Sequence, residues 1–232
     1  MQAVLFDLDG TLLDLDLSAF LARYFAALET AAAPLLNGTG IGGPAFMGML
    51  RSAVGTMMEP HPGRTNREVF NERLRDLSGV DLDHDWTVFE TFYSDVFPAL
   101  RDTARPAQGA RDAVETALGL GLRVAIATNP IFPESAIRHR LSWAGLGDLE
   151  LSVVTAYEYM RACKPHGEYF LQTADLLGVA PCDCMMVGDD RALDLPAADV
   201  GMRTFYVGKD PDAAADMMGT LAELTRLLPR LV

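Results

Sequence analysis

The sequence predicts an α/β fold: a parallel sheet covered by helices on both faces, with a block of helices inserted after the first strand. Three observations predict it. From Ala107 onward, short and continuously apolar strand-forming runs alternate with helical patterns, as in sheets buried on both faces. The chain opens on one more such run, Ala3-Val-Leu-Phe6, which belongs to the same sheet. Between that run and Ala107 the hydrophobic period is close to 3.6, with no convincing strand.

The elements follow in order. After the opening strand, Leu17, Phe20, Leu21, Tyr24, Phe25 and Leu28 form one helical stripe, which the turn-forming stretch Asn37–Pro44 ends. A Met-rich helix covers Phe46 to Met58, and Pro60-His-Pro-Gly63 breaks it. Thr65-Asn-Arg-Glu68 reads as a capping box opening a helix that carries Val69, Phe70 and Leu74. Asp85 to Leu100, with Trp86, Phe89, Phe92, Tyr93 and Phe97, reads as one further helix. The alternation then begins: helix Ala110–Leu118, strand Leu122–Ala127, helix Pro133–Trp143, strand Leu151–Thr155, helix Gly167–Leu177 and strand Cys184–Val187. A short helix over 191–199, strand Arg203–Val207 and a helix from about Gly219 to Leu228 complete it. Residues 1–14 and 105–232 thus form the core, and 15–104 a helical cap.

Composition narrows the function. Half of the 232 residues are hydrophobic, enough for a substantial core. A formal charge of −13 repels phosphate backbones and anionic lipids, so nucleic acid and membrane surfaces are not expected partners. No secretory signal is read at the start, and no apolar run approaches the ~20 residues that span a bilayer. Cys163, Cys182 and Cys184 are read as reduced thiols in a cytoplasmic protein. Oligomeric state stays open.

Chemistry gathers at strand ends, where open parallel sheets bind ligands. Asp7, Asp9, Gly10 and Thr11 follow the first strand, and Thr128-Asn129 the second. Cys163-Lys164-Pro165 lies beyond the third, and Gly188-Asp189-Asp190 follows the fourth. Asp7 and Asp9 are two apart, so in an extended chain they lean to one side and crowd their charges. Clustered with Asp189, they suit a hard divalent cation bound through oxygen, Mg²⁺ before others. Such a cation and Lys164 let an anionic phosphate approach a carboxylate nucleophile. Asp7 can attack phosphorus, and Asp9 can protonate the leaving oxygen. Thr128, the Asn129 region and backbone N–H groups of the Asp9–Thr11 turn are expected to hold phosphate oxygens.

These motifs (DLDGT, Thr-Asn, Lys-Pro and VGDD with Asp194 downstream) resemble, in order, the four motifs of the haloacid dehalogenase-like hydrolase superfamily. The resemblance covers the whole chain and implies a Rossmann-like core with strand order 5-4-1-2-3 and a helical cap between the first two motifs. It implies Asp7 as nucleophile and metal ligand, and Asp9 as acid/base lending its backbone carbonyl to the metal. It further implies Thr128 as phosphate ligand, Lys164 as charge partner and Asp189 as metal ligand. Asn-Pro-Ile-Phe-Pro133 is similar to a subgroup in which that run follows the motif threonine. Asp194 is read as a supporting or helix-start carboxylate, and Asp190 stays open.

The expected function is a Mg²⁺-dependent phosphatase acting on a small phosphorylated metabolite through an aspartyl-phosphate. A phosphomutase resembling β-phosphoglucomutase and a non-catalytic phosphate-binding regulatory protein are the alternatives. A dehalogenase is disfavoured, since that branch lacks an acid two residues after its nucleophile. Outside the motifs, Met47, Met49, Met57 and Met58 are read as cap packing and Arg51 and His61 as a solvated face. Cys163 could have a lowered pKa beside Lys164, but is read as incidental.

Overall fold

The computed structural model describes residues 1–232, the side chain of Asp83 excepted. Its strands are β1 (Ala3–Phe6), β2 (Leu13–Leu15), β3 (Ala104–Pro106), β4 (Arg123–Ile126), β5 (Val153–Val154), β6 (Cys184–Gly188), β7 (Arg203–Tyr206) and β8 (Met217–Met218). Its helices are α1 (Leu17–Ala32), α2 (Gly43–Met58), α3 (Asn66–Ser78), α4 (Leu82–Thr91), α5 (Ala110–Gly119), α6 (Glu134–Trp143), α7 (Gly167–Leu177) and α8 (Leu221–Leu227). Six strands form one parallel sheet in the order β5-β4-β1-β6-β7-β8. The five strands expected from the sequence take their expected order. The two-residue β8 is an addition at the edge beside β7.

Alternation within β1 shows why the strand is central. Val4 and Phe6 pack to one face with Ala113, Val114, Ile137, Leu141 and Leu224, while Ala3 and Leu5 pack to the other with Phe170, Ala174 and Met186. All four β1 side chains are fully buried. Burying a Leu or Phe side chain is worth about 1.5–3 kcal/mol, so a strand covered on both faces is held from two sides. That rigidity matters, because the candidate site hangs from the strand's carboxyl end.

The helical insertion is joined to the core through a second, two-stranded sheet. β2 and β3 pair antiparallel, Leu13 opposite Pro106 and Leu15 opposite Ala104, so the chain leaves and returns at one place. Asp16 caps α1 by accepting from Ala19 N–H, and the Thr65–Glu68 capping box opens α3 as expected. Phe20, Tyr24, Leu28 and Ala32 form the buried stripe of α1. The expected continuous helix from Asp85 to Leu100 is broken. α4 ends at Thr91, a wider turn covers Phe92–Val96, and a tighter one begins at Phe97, where Pro98 has no N–H to continue the ladder. Phe97 then stacks on Trp143 of α6, with ring centroids 5.3 Å apart, so insertion and core share one apolar seam.

The apolar-run expectation also needs correction. Leu17–Leu36 is a 20-residue helical stretch with a mean hydropathy of 1.2, long and apolar enough by composition to cross a membrane. Its alanines carry the value across Arg23 and Glu29, and one face packs into the protein core.

Candidate active site

Ladder bonding carries past the last residue of β1: the Asp7 N–H donates to the Val187 carbonyl at 2.9 Å. The chain then turns sharply, with the N–H groups of Leu12 and Leu13 both donating to Leu8 carbonyl oxygen. Gly10 sits in that turn at φ +92°, and a Cβ there would collide with the Asp189 carboxylate. Glycine is therefore required both by conformation and by the close approach of the two strand-end loops. The Gly10 and Thr11 N–H groups donate within the turn, to Leu13 and Leu8 carbonyls. They are not aimed outward at a phosphate, which corrects the expectation for those two donors.

Asp7, Asp189 and Asp194 each place a carboxylate oxygen within 4.8 Å of the others. The third member of the cluster is thus Asp194 rather than Asp9. β1 ends at Phe6, so the same-side rule for residues two apart does not extend across Leu8 to Asp9. The Asp9 carboxylate instead pairs with the Arg140 guanidinium, on α6. If Asp9 serves a metal, it does so through its backbone carbonyl, as the resemblance implies.

Lys164 bridges the cluster from beneath. Its Nζ donates to Asp7 Oδ1 at 2.8 Å and to Asp194 Oδ1 at 2.6 Å, and its side chain is about 1% exposed. Burial works against this ammonium, but the Asp7 and Asp194 charges outweigh it and hold its pKa above the ordinary lysine value. Burial raises Asp194 above the usual carboxylate range, against the pull of Lys164. Asp194 also accepts from the Asp190 N–H, and Asp190 itself caps the N–H groups of Ala192 and Leu193. Asp190 is therefore a turn former.

Thr128 and Asn129 follow β4. Thr128 carbonyl oxygen accepts from both Thr155 Oγ1 (2.7 Å) and Tyr169 Oη (2.9 Å), which fixes the backbone from which its side chain reaches the site. Asn129 Oδ1 accepts from the Lys164 N–H at 3.2 Å, so its amide braces the lysine loop. Asp7, Asp9, Thr128, Asn129, Lys164 and Asp189 all line one cavity of about 390 Å³. The residues the sequence singled out are brought together there. The lowered pKa considered for Cys163 is not found: burial pushes its thiol up to about 12.

A divalent metal suits this donor set. Three carboxylates face one lysine, all donors are hard oxygens, and Asp189 has no cation of its own among the described residues. Burial first, then the Asp7 charge, push Asp189 up to about 6, while its bond from Thr11 Oγ1 pulls it down. The folded protein thus holds a proton that the unfolded chain releases. Stability from this group is gained as pH falls below about 6 and lost as pH rises through it. Metal affinity runs the opposite way, because the ligand must be deprotonated. Calorimetric titration with Mg²⁺ should show affinity falling up to about tenfold per pH unit below about 6. A flat profile between pH 5 and 7 would remove Asp189 from the metal site.

The haloacid dehalogenase-like hydrolase family pattern matches residues 1–200. The chain belongs to that family. Solved haloacid dehalogenase-like structures align over nearly the whole chain. A HAD phosphatase from Thermococcus onnurineus is 24% identical, with 98% of each chain covered and a TM-score of 0.60. A 2-haloacid dehalogenase from Pseudomonas syringae pv. Tomato DC3000 is 23% identical, with 100% of each covered and a TM-score of 0.65. A HAD family hydrolase from Deinococcus radiodurans R1 with bound phosphate and sodium is 20% identical, covering 100% of this chain and 96% of that one, with a TM-score of 0.58. At these identities the likeness carries the fold. No curated protein matches the chain.

Sequence reasoning missed Arg140. The available signal was its position within the buried stripe of α6, beside Ala136, Ile137 and Leu141, where an arginine needs a buried partner.

Proposed function

We propose that this hydrolase is a Mg²⁺-dependent phosphatase of small phosphorylated metabolites, acting through an aspartyl-phosphate on Asp7. One observation supports it above others: a single cavity gathers three carboxylates, a buried lysine and Thr128, and Asp9 lines it too. Asp7, Asp189 and the Asp9 carbonyl would hold the metal, which supplies charge neutralisation for the phosphate. Asp7 attacks phosphorus, the bond to the leaving alcohol breaks, and Asp9 gives its proton to that oxygen. Burial raises the Asp9 pKa despite Arg140, which favours the protonated form this step needs. Water then attacks phosphorus, the Asp7 oxygen leaves, and Asp9 takes the water's proton. Lys164 steadies Asp7 throughout, and Thr128 meets a phosphate oxygen.

The test is phosphate release from p-nitrophenyl phosphate. EDTA should abolish it and Mg²⁺ restore it. Turnover that survives exhaustive chelation takes the metal out of the mechanism. Halide release from 2-chloropropionate, without phosphate release, would favour dehalogenation. Product analysis with a hexose phosphate separates hydrolysis, which gives free sugar, from transfer, which gives an isomer.

A further inference from the structure

A second cavity, of about 480 Å³, lies between the helical insertion and the core. Its wall is almost wholly apolar and aromatic, with Phe20, Phe25, Leu50 and Trp86 prominent, and among the described residues only Asp9, Arg51 and Arg140 bring charge to it. Asp9 lines both this cavity and the carboxylate cavity, so the two meet at the group assigned to the leaving oxygen. On the phosphatase reading, an alcohol leaving on Asp9's side of the phosphate would lie against this wall.

Arg140 is the unusual member. It is about 1% exposed, its Nη1 is paired with Asp9, and its guanidinium carbon lies 4.7 Å from the centre of the Phe132 ring. Among the described residues its Nε and Nη2 have no hydrogen-bond partner, and neither has Asp9 Oδ1. Nε–H and Nη2–H form the side-on edge of a guanidinium, two parallel donors matched to a two-oxygen anion. Arg140 lines the cavity and these two donors are buried, and buried donors without acceptors are costly, so an acceptor brought by a ligand would relieve that cost.

We propose that the second cavity holds the alcohol half of the substrate, an aryl-sized apolar group, and that a carboxylate on it seats on the Nε/Nη2 edge of Arg140. The substrate class is then the phosphate monoester of a hydrophobic hydroxy acid. The phosphate half of this statement rests on the phosphatase reading, while the binding of the hydroxy acid does not.

Equilibrium binding separates the two. Calorimetry on the intact protein would compare 3-phenyllactate with lactate, which lacks the ring, and with 1-phenylpropan-2-ol, which lacks the carboxylate. 3-Phenyllactate should bind at least ~30-fold tighter than either, as expected where a hydrogen-bonding site loses its partner or an apolar site loses its filling. Arg140→Met should bring 3-phenyllactate down to the level of the alcohol while the alcohol binds as before. Should that variant fail to fold, the comparison on the unaltered protein decides alone. Equal binding of the three ligands, or no binding of 3-phenyllactate, overturns the proposal. Failure to hydrolyse p-nitrophenyl phosphate strikes the phosphatase reading and leaves the binding result standing. Where that ester is hydrolysed, the phosphate ester of 3-phenyllactate should exceed that of lactate in kcat/KM by a similar factor; no excess counts against the cavity.

Discussion

Asp7→Asn should lower phosphate release from p-nitrophenyl phosphate by at least about four orders of magnitude, the scale seen when a covalent nucleophile is removed. The amide matches the carboxylate in shape and keeps an oxygen to accept from Lys164 Nζ, which lies 2.8 Å from Asp7 Oδ1. It lacks the electron pair and charge that attack phosphorus. The variant also removes one of three carboxylates packed within 4.8 Å, relieving mutual repulsion. Its melting temperature should therefore equal or exceed that of the parent protein. Phosphate detection and a thermal melt decide together: near-normal turnover removes Asp7 as nucleophile, and loss of turnover with a collapsed melt assigns it to the fold instead.

Lys164→Met should have the largest effect on stability, a loss of about 3–5 kcal/mol at pH 7. The reason is the company it leaves behind. Asp7 and Asp194 would remain buried with no cation between them, and burial already raises Asp194. The folded variant responds by taking up protons that its unfolded chain releases at neutral pH. Stability should accordingly return as pH falls from 7 toward 5, more steeply than in the parent protein. Mg²⁺ should return more stability to the variant than to the parent, because it supplies the missing charge. Denaturant titrations at the two pH values measure this. Equal midpoints for variant and parent at pH 7 would mean that the lysine's charge contributes nothing to holding the site together.

How much of this was readable in advance follows from range. The five main strands came from continuous apolar runs, a local signal, while their order came only from the resemblance that the motifs after them carry. β2, β3 and β8 span only two or three residues, too short for alternation to register. Asp7, Asp189, Lys164 and Thr128 were legible because each sits at a strand end, or a short loop beyond, in a recognisable order. Asp194 replaced Asp9 in the carboxylate cluster for a reason no spacing rule contains: the chain turns at Leu8 as soon as β1 ends. Arg140 pairs with a residue 131 positions away, and its buried place on α6 depends on helices from elsewhere in the chain.

The aromatic seam has a practical consequence. The chain has two tryptophans, and the fold has separated them by duty. Trp86 forms part of the wall of the apolar chamber, and Trp143 is stacked on Phe97 where insertion meets core. Intrinsic fluorescence therefore carries two distinguishable signals without any label: one indole senses occupancy of the chamber, and the other senses whether the two halves stay in contact.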